Sequence, residues 1–463
     1  MAARLPTSNV NASSDGCVPA GVVTGEDRML KAGAASIVIN GELGAPIQGA
    51  TVSQVANSVR DDLEANALLL GDGTSHALII SCDLAAVPSA FVEDTRAAVA
   101  DAAGVMPRDV VMAGTHTHSG PSLISTSRGK PIDTAYLERL SQWLCDVARE
   151  ARSSVRPVRL GWGSGTTRIG YNRRCCWSDG SHTMHGDTAR REFTGLEGPD
   201  DHAHLALFLE DQDGQLVAIL HNSTSHPTCF YGADFYSADF PGVSRRFLRE
   251  ALGPVPVVFL NGAFGDIANV NLLGHGGKGE NREQKLLRKS HVVAGETLRL
   301  LHEATWCDDA AFAHVFEDIA MPVRLPTTAR LEKAQTLLAE ADAGVKHPIW
   351  DQLFAYGALL LQEEFGANPV DTIPVHALRI GDVALVTQPC ELFCQFGLDI
   401  KRRSPARATG VCGIADGYSG YCPTIPGILG GGYSGEPIHW TRLAEDAGYR
   451  IVETASRLLH ELW

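Results

Sequence analysis

Ala77-Leu78-Ile79-Ile80-Ser81-Cys82, Ser89 to Ala103 and Val110-Val111-Met112-Ala113 read in turn as strand, helix and strand. The two outer segments are short apolar runs suited to buried strands. The middle one sets Phe91, Val92, Thr95, Ala98, Val99 and Ala102 at helical spacing. A strand–helix–strand unit of this kind points to an α/β fold. Its second strand runs directly into Gly114-Thr115-His116-Thr117-His118-Ser119-Gly120-Pro121. Polar, glycine-containing loops at strand ends are where α/β proteins place ligand chemistry. Alternate residues of extended chain project to one side, so both imidazoles are expected to face one pocket. Such a pair suits zinc and similar ions; the competing reading packs one histidine in the core and solvates the other.

The arrangement recurs along the chain. Leu216 to Leu220 enters His221-Asn222-Ser223-Thr224-Ser225-His226-Pro227, and Val255 to Leu260 enters Asn261-Gly262-Ala263-Phe264-Gly265-Asp266. Val383 to Thr387 enters Gln388-Pro389-Cys390-Glu391. His226 is a further ligand candidate, or simply part of a proline-stiffened turn. Glu391, at the end of an apolar strand, is destabilising there unless paired or metal-bound. Asp239, ahead of the helical stretch Pro241 to Leu252, reads as an N-cap. His202 and His204 alternate and are expected on a solvated strand face. Cys390 and Cys394 are expected to be buried thiols rather than ligands. Tyr136 to Ser153 reads as an amphipathic helix, and Thr327 to Gln362 as two helices joined near Lys346-His347-Pro348, at the periphery. Trp440 to Trp463 reads as a C-terminal helix with Leu443, Ala447, Ile451, Ala455, Leu458 and Leu462 on its apolar face.

Composition sets the outer bounds. The 463 residues are 44% hydrophobic and 20% charged, enough apolar surface for a sizeable core. Lys and Arg number 39 against 54 Asp and Glu, a net charge of −15 that argues against nucleic-acid and membrane-surface partners. A small-molecule substrate is the expected partner, with homo-oligomerisation left open. Eleven cysteines show no framework spacing, and Met1 to Pro19 lacks a basic n-region and an apolar h-region, so a cytoplasmic chain of reduced thiols is expected. Neither Gly430-Gly431-Gly432 nor Gly274-His-Gly-Gly-Lys278 completes a Walker loop, and neither G-x-S-x-G nor H-E-x-x-H occurs.

Gly114-Thr-His-Thr-His-Ser-Gly-Pro121 resembles the signature of the neutral, non-lysosomal ceramidase family, zinc amidases that cleave the N-acyl bond of ceramide. Further motifs follow in that family's order: Tyr171-Asn172-Arg173, His226-Pro227, Gly265-Asp266-Ile267, Pro389-Cys390-Glu391 and Tyr418-Ser-Gly-Tyr421. The resemblance implies an α/β fold with a mixed β-sheet core and surrounding helices. Residues 1–30 read as a loose N-terminal arm, and the motif order implies one metal-dependent catalytic domain over 31–463, with the helical excursion at about 327–362. The resemblance makes His116, His226, Glu391 and Tyr421 the ligands of about one zinc per chain, although manganese or iron also suits such donors. It places His118, Arg173 and Asp266 as catalytic or positioning groups, and Asn172, Asn269 and Tyr433 at the substrate.

Two departures qualify the resemblance. The family's Gly-Asp-(Val/Ile)-Ser-Pro-Asn reads here Gly265-Asp266-Ile267-Ala268-Asn269-Val270, so its serine is Ala268. A counterpart of the family's additional β-sandwich domain is not expected after the C-terminal helix. The implied activity is therefore zinc-dependent hydrolysis of an amide-type C–N bond, an N-acyl amine or lactam, in a substrate smaller and more soluble than ceramide. In that reading the zinc-activated water attacks the carbonyl, Arg173 partners the oxyanion or a substrate carboxylate, and His118, at its ordinary pKa of about 6.5, shuttles the proton. The alternatives are metal-dependent opening of an ester or lactone, isomerisation or a lyase step, and a metal-holding binding protein without turnover.

Overall fold

The strands expected at 77–82 and 110–113 form at His76–Cys82 and Val110–Gly114 and pair in parallel, joined by a helix over Ser89–Ala103. They sit in a large mixed sheet. In the computed structural model, which describes residues 29–49, 51, 54–125, 131–274 and 280–463, its strands are β1 (Lys31–Val38), β2 (Glu64–Gly71), β3 (His76–Cys82), β4 (Val110–Gly114), β5 (Arg156–Thr166), β6 (Ala203–Asp211), β7 (Leu216–Ser223), β8 (Val257–Asn261) and β9 (Thr305–Cys307). The sheet order is β8-β7-β6-β5-β1-β2-β3-β4, with β9 against β5. The N-terminal arm up to residue 28 and residues 275–279 of the second glycine run lie outside the described residues.

A second sheet, β10 (Phe312–Pro322), β11 (Val370–Ile380), β12 (Val383–Thr387) and β13 (Ala408–Cys412), packs on the first in that order. Leu378, Ile380, Val383 and Leu385 share one core with Leu68, Ile79, Val111, Leu207 and Val258 of the large sheet. Helices cover both outer faces. On the large sheet these are α1 (Ser89–Ala103), α2 (Thr134–Ser153), α3 (Asp239–Leu252) and α4 (Arg282–His302). Over the small sheet lie α6 (Ile349–Phe365), α7 (Cys394–Arg403) and α9 (Ala447–Glu461), with α5 (Thr328–Asp342) packed on α6 and the short α8 (Ile425–Leu429) beside Arg174. This is an α/β architecture of two sheets between helical layers. Among the described residues no helix is long and apolar enough to cross a membrane.

The large sheet is antiparallel at its centre and parallel at both edges, β3 with β4 and β7 with β8. Those edges meet, because the sheet curls. Ser81 Oγ donates to Phe259 O at 2.6 Å, and Asn261 Nδ2 donates to Thr115 O at 3.2 Å. Loops that leave the two edges therefore arrive at one place.

Three local expectations are corrected. The C-terminal helix begins at Ala447 rather than Trp440, because residues 438–443 run as bridged chain against Val323 and Gly420. Asp239 does not cap α3. It is the helix's first residue, at φ +52°, and its buried carboxylate accepts the Cys229 and Phe240 amides at 2.7 Å each, bracing the loop after His226. His204 is fully buried, not solvated, and its ring bonds Ser223 Oγ at 2.6 Å and Thr297 Oγ1 at 2.9 Å. Both faces of this sheet are covered, so strict alternation no longer marks a solvent side. Burial lowers the His204 pKa to about 4. Cys390 and Cys394 are buried free thiols; the other described cysteines are also free, with Cys145, Cys176 and Cys307 partly exposed.

Candidate metal centre

His116 and His118 do not reach their common pocket by strand alternation. β4 ends at Gly114, and His116 takes a left-handed backbone, φ +70°. A non-glycine residue in that region is strained, and its neighbours hold it there: the His116 amide donates to Leu84 O at 2.9 Å, and Nδ1 bonds Ala85 O at 2.6 Å. The turn still delivers both rings to one side, with centroids 4.8 Å apart.

The three rings share a hydrogen-bonding logic. His118 Nδ1 bonds Gly49 O at 3.0 Å, and His226 Nδ1 bonds Ile267 O at 2.8 Å and Phe264 O at 3.1 Å. A carbonyl accepts only, so each Nδ1 carries a proton, and in the neutral ring Nε2 then presents a lone pair. Those lone pairs converge. Nε2 of His118 is 3.2 Å from Nε2 of His116, and one ligand atom from each of His116, His118 and His226 lies within 4.8 Å of the others. Glu391 Oε2 sits 3.3 Å from His226 Nε2 and 3.5 Å from His116 Nε2, buried and without a hydrogen-bond donor among the described residues.

Electrostatics agree with the geometry. Burial raises the Glu391 pKa, and only protonated, donating His116 and His226 rings, or a cation in their place, outweigh it and hold the carboxyl well below its usual range. Burial and then the Arg173 cation keep His226 neutral, and burial with His116 lowers His118 to about 3. The expected pKa near 6.5 for His118 is thus not met, since the ring is enclosed. Neutral imidazoles and an ionised carboxylate turned toward one point are a donor set for a divalent cation.

Tyr421 reaches the cluster from the opposite chain segment. Arg173 Nη2 donates to Tyr421 Oη and to His226 Nε2, both at 3.2 Å, and to Gly265 O at 2.9 Å. Burial, then the Glu391 charge, keeps the Tyr421 phenol protonated. Together these groups floor a cavity of about 700 Å³, within the range of small-molecule sites. Asn269 and Tyr433 line it as expected.

Asn172 and Asp266 do not. Asn172 Nδ2 donates to Asp266 Oδ2 at 2.8 Å, and Asp266 Oδ1 accepts the Cys394 amide at 2.7 Å. The pair forms a buried strut between the Arg173 segment and the chain after Glu391, because both side chains spend their polar atoms on each other and on backbone. The α5–α6 hairpin is not peripheral either: Trp350, Leu353 and Phe354 of α6 form a cavity wall. Their helical spacing reads equally well as core, which is why sequence missed the wall. Tyr418 was missed too, although it lies within a quoted motif; its hydroxyl donates to Glu391 Oε1 at 3.0 Å.

No family profile and no curated protein matches the chain. Solved structures do. Neutral ceramidase from Pseudomonas aeruginosa aligns with a TM-score of 0.71 at 17% identity, over 94% of this chain and 75% of that one. A ceramidase complexed with C2 aligns with a TM-score of 0.70, also at 17% identity, over 94% and 76%. The chain has the neutral ceramidase fold. Motif order at very low identity thus identified the neutral ceramidase architecture correctly. Within that fold, Ala268 occupies a two-residue strand paired with Tyr171, is 2% exposed, and lies outside the cavity lining.

Proposed function

We propose that this protein is a metal-dependent hydrolase of an amide-type C–N bond in a small substrate, with zinc the expected ion. One observation carries the reading: the Nε2 lone pairs of His116, His118 and His226 and the undonated Oε2 of Glu391 turn toward one point at the floor of a cavity. Among these groups Arg173 engages the His226 nitrogen alone; the His116 and His118 lone pairs and the carboxylate still repel one another unless a cation lies among them.

His116, His226, Glu391 and Tyr421 would hold the ion, which when bound supplies Lewis acidity toward a carbonyl and acidifies water. The chain's own residues do the rest. Backbone carbonyls at Ala85, Phe264 and Ile267 fix the His116 and His226 tautomers. Tyr418 donates to the far oxygen of Glu391 and so turns Oε2 inward. Arg173 is placed to donate to the oxygen that gains charge as the carbonyl becomes tetrahedral. His118 Nε2, in contact with His116 Nε2 and free of backbone partners, is the proposed acceptor of the attacking water's proton, which it passes on to the departing amine rather than holds, because burial leaves the ring a weak base.

Metal analysis of the purified protein tests the reading, with about one divalent ion per chain expected and its loss in His116→Ala. A folded protein that takes up no divalent metal, or a metal-loaded one inert toward every amide in an N-acyl amine and lactam panel, overturns it.

A further inference from the structure

The cavity over this centre has two chemically different ends. On the Tyr421 side, Tyr433 lies 5.2 Å from the Tyr421 ring and 5.8 Å from Trp440, and Trp350 stands edge-on to Tyr433 at 5.3 Å. Leu353 and Phe354 extend this wall. On the His226 side the lining turns polar, with Thr228, Asn269 and Lys285. Lys285 belongs there because its helix neighbour Leu286 packs with Cys229 and Phe230, in the loop that follows His226.

Lys285 is not accounted for by stability. It is the fourth residue of α4, after the N-cap Asn281, where the helix dipole disfavours a cation. The acids nearest in sequence are already engaged: Glu280 with Arg288 at 2.7 Å, and Glu283 with Arg60. Among the described residues no carboxylate pairs with Lys285. Lys285 nevertheless lines the cavity and is half-buried. Among the described lining residues, Arg173 and Lys285 are the full cations and Glu391 the acid. A chain of net charge −15 thus keeps a cationic cavity. That local reversal of sign is what selects an anionic ligand.

We propose that the substrate is an N-acyl amino acid: an apolar acyl group lies against Trp350 and Phe354, the amide sits over the His116–His226–Glu391 cluster, and the carboxylate pairs with Lys285. This rests on the hydrolytic reading above. Water oxygen bonds to the acyl carbon, the C–N bond breaks, and the nitrogen leaves with a proton as the free amino acid; no redox partner is needed. A charge-assisted pair in a half-buried site separates the substrate from its neutral amide analogue by about tenfold.

The test compares N-octanoylglycine with N-octanoylglycinamide, scoring octanoate release by the metal-loaded protein and, separately, equilibrium binding by tryptophan fluorescence. The acid is expected to be preferred about tenfold in kcat/KM and in Kd. Lys285→Met brings both ratios to about one, and Lys285→Arg restores them. Equal handling of acid and amide by the wild type, or a preference that survives Lys285→Met, overturns the proposal. If neither compound is cleaved but the acid binds preferentially through Lys285, the hydrolytic reading falls while the anion site stands.

Discussion

Glu391 and Tyr421 are register partners in a two-strand parallel bridge, Cys390–Leu392 against Gly420–Cys422. Direct pairing puts both side chains on the same face of the bridge, so two oxygen donors separated by thirty positions in sequence meet without a helix or loop having to aim them. Tyr418 then fixes the outer carboxylate oxygen. Glu391→Gln keeps the size of the side chain and removes its charge. Metal-loaded wild type is expected to be more stable than the metal-free form by about 2.7 kcal/mol when the ion is at 100 times its Kd, and so to unfold at higher temperature. In Glu391→Gln that metal-dependent gain is expected to vanish while the metal-free protein remains folded, as thermal melts with and without zinc will read out.

Gly265 is placed where no side chain fits. A Cβ there would come within 2.2 Å of Glu391 O and 2.8 Å of its carbonyl carbon, and the contact is with backbone, which cannot rotate away. The Gly265 amide also donates to Leu392 O at 2.9 Å, and its carbonyl accepts from Arg173. Gly265→Ala is expected to cost about 1–3 kcal/mol of stability in denaturant titration and to weaken metal binding, because the shift falls on the bridge that carries Glu391.

Asp266 gives the stability a pH dependence of definite sign. Burial, opposed by the Cys394 amide, raises its pKa to about 7, against about 3.9 in an unfolded chain. Between those values the folded protein holds a proton that the unfolded chain has released. The stabilising contribution is therefore complete below about pH 4 and lost as pH rises through about 7. Asp266→Asn cannot titrate. Its melting temperature starts lower, since an amide nitrogen would face Asn172 Nδ2, but wild type is expected to lose several degrees more than the variant between pH 5 and pH 8.

The strands, α1 and the loops at their ends were legible because apolar runs and helical spacing are local signals. His116, His226 and Glu391 were legible for a related reason: imidazole and carboxylate are out of place at the ends of buried strands. The meeting of the sheet's two edges was not, since it depends on the curl that joins Ser81 to Phe259 and Asn261 to Thr115. The cavity wall on α6 was hidden because Leu353 and Phe354 satisfy a core pattern and a binding surface equally. Asn172 and Asp266 stand behind the cavity lining, because membership of a motif does not separate residues that brace a site from residues that touch its ligand.

Arg174 points away from the cavity while its neighbour Arg173 points in, and it organises the cavity's aromatic side from behind. Its fully buried guanidinium pairs with Glu197 at 2.7 Å, and its other nitrogens donate to Ser434 Oγ at 2.8 Å, Gly427 O at 2.9 Å and Gly431 O at 3.3 Å. Those acceptors lie on α8 and the loop after it, where Gly431 and Gly432 take positive φ and Tyr433 follows into the cavity. Few other side chains could satisfy that many carbonyls from one buried position. Arg174→Met leaves the Glu197 carboxylate buried without its main counterion, so a loss of about 3–5 kcal/mol is expected in denaturant titration. Arg174→Lys keeps the charge but not the fork. It is expected to fold, to retain its metal, and to show faster amide hydrogen exchange over 427–434 with a raised KM, because Tyr433 loses its fixed position. Unchanged exchange in Arg174→Lys would show that the loop is held by its own turns rather than by the guanidinium.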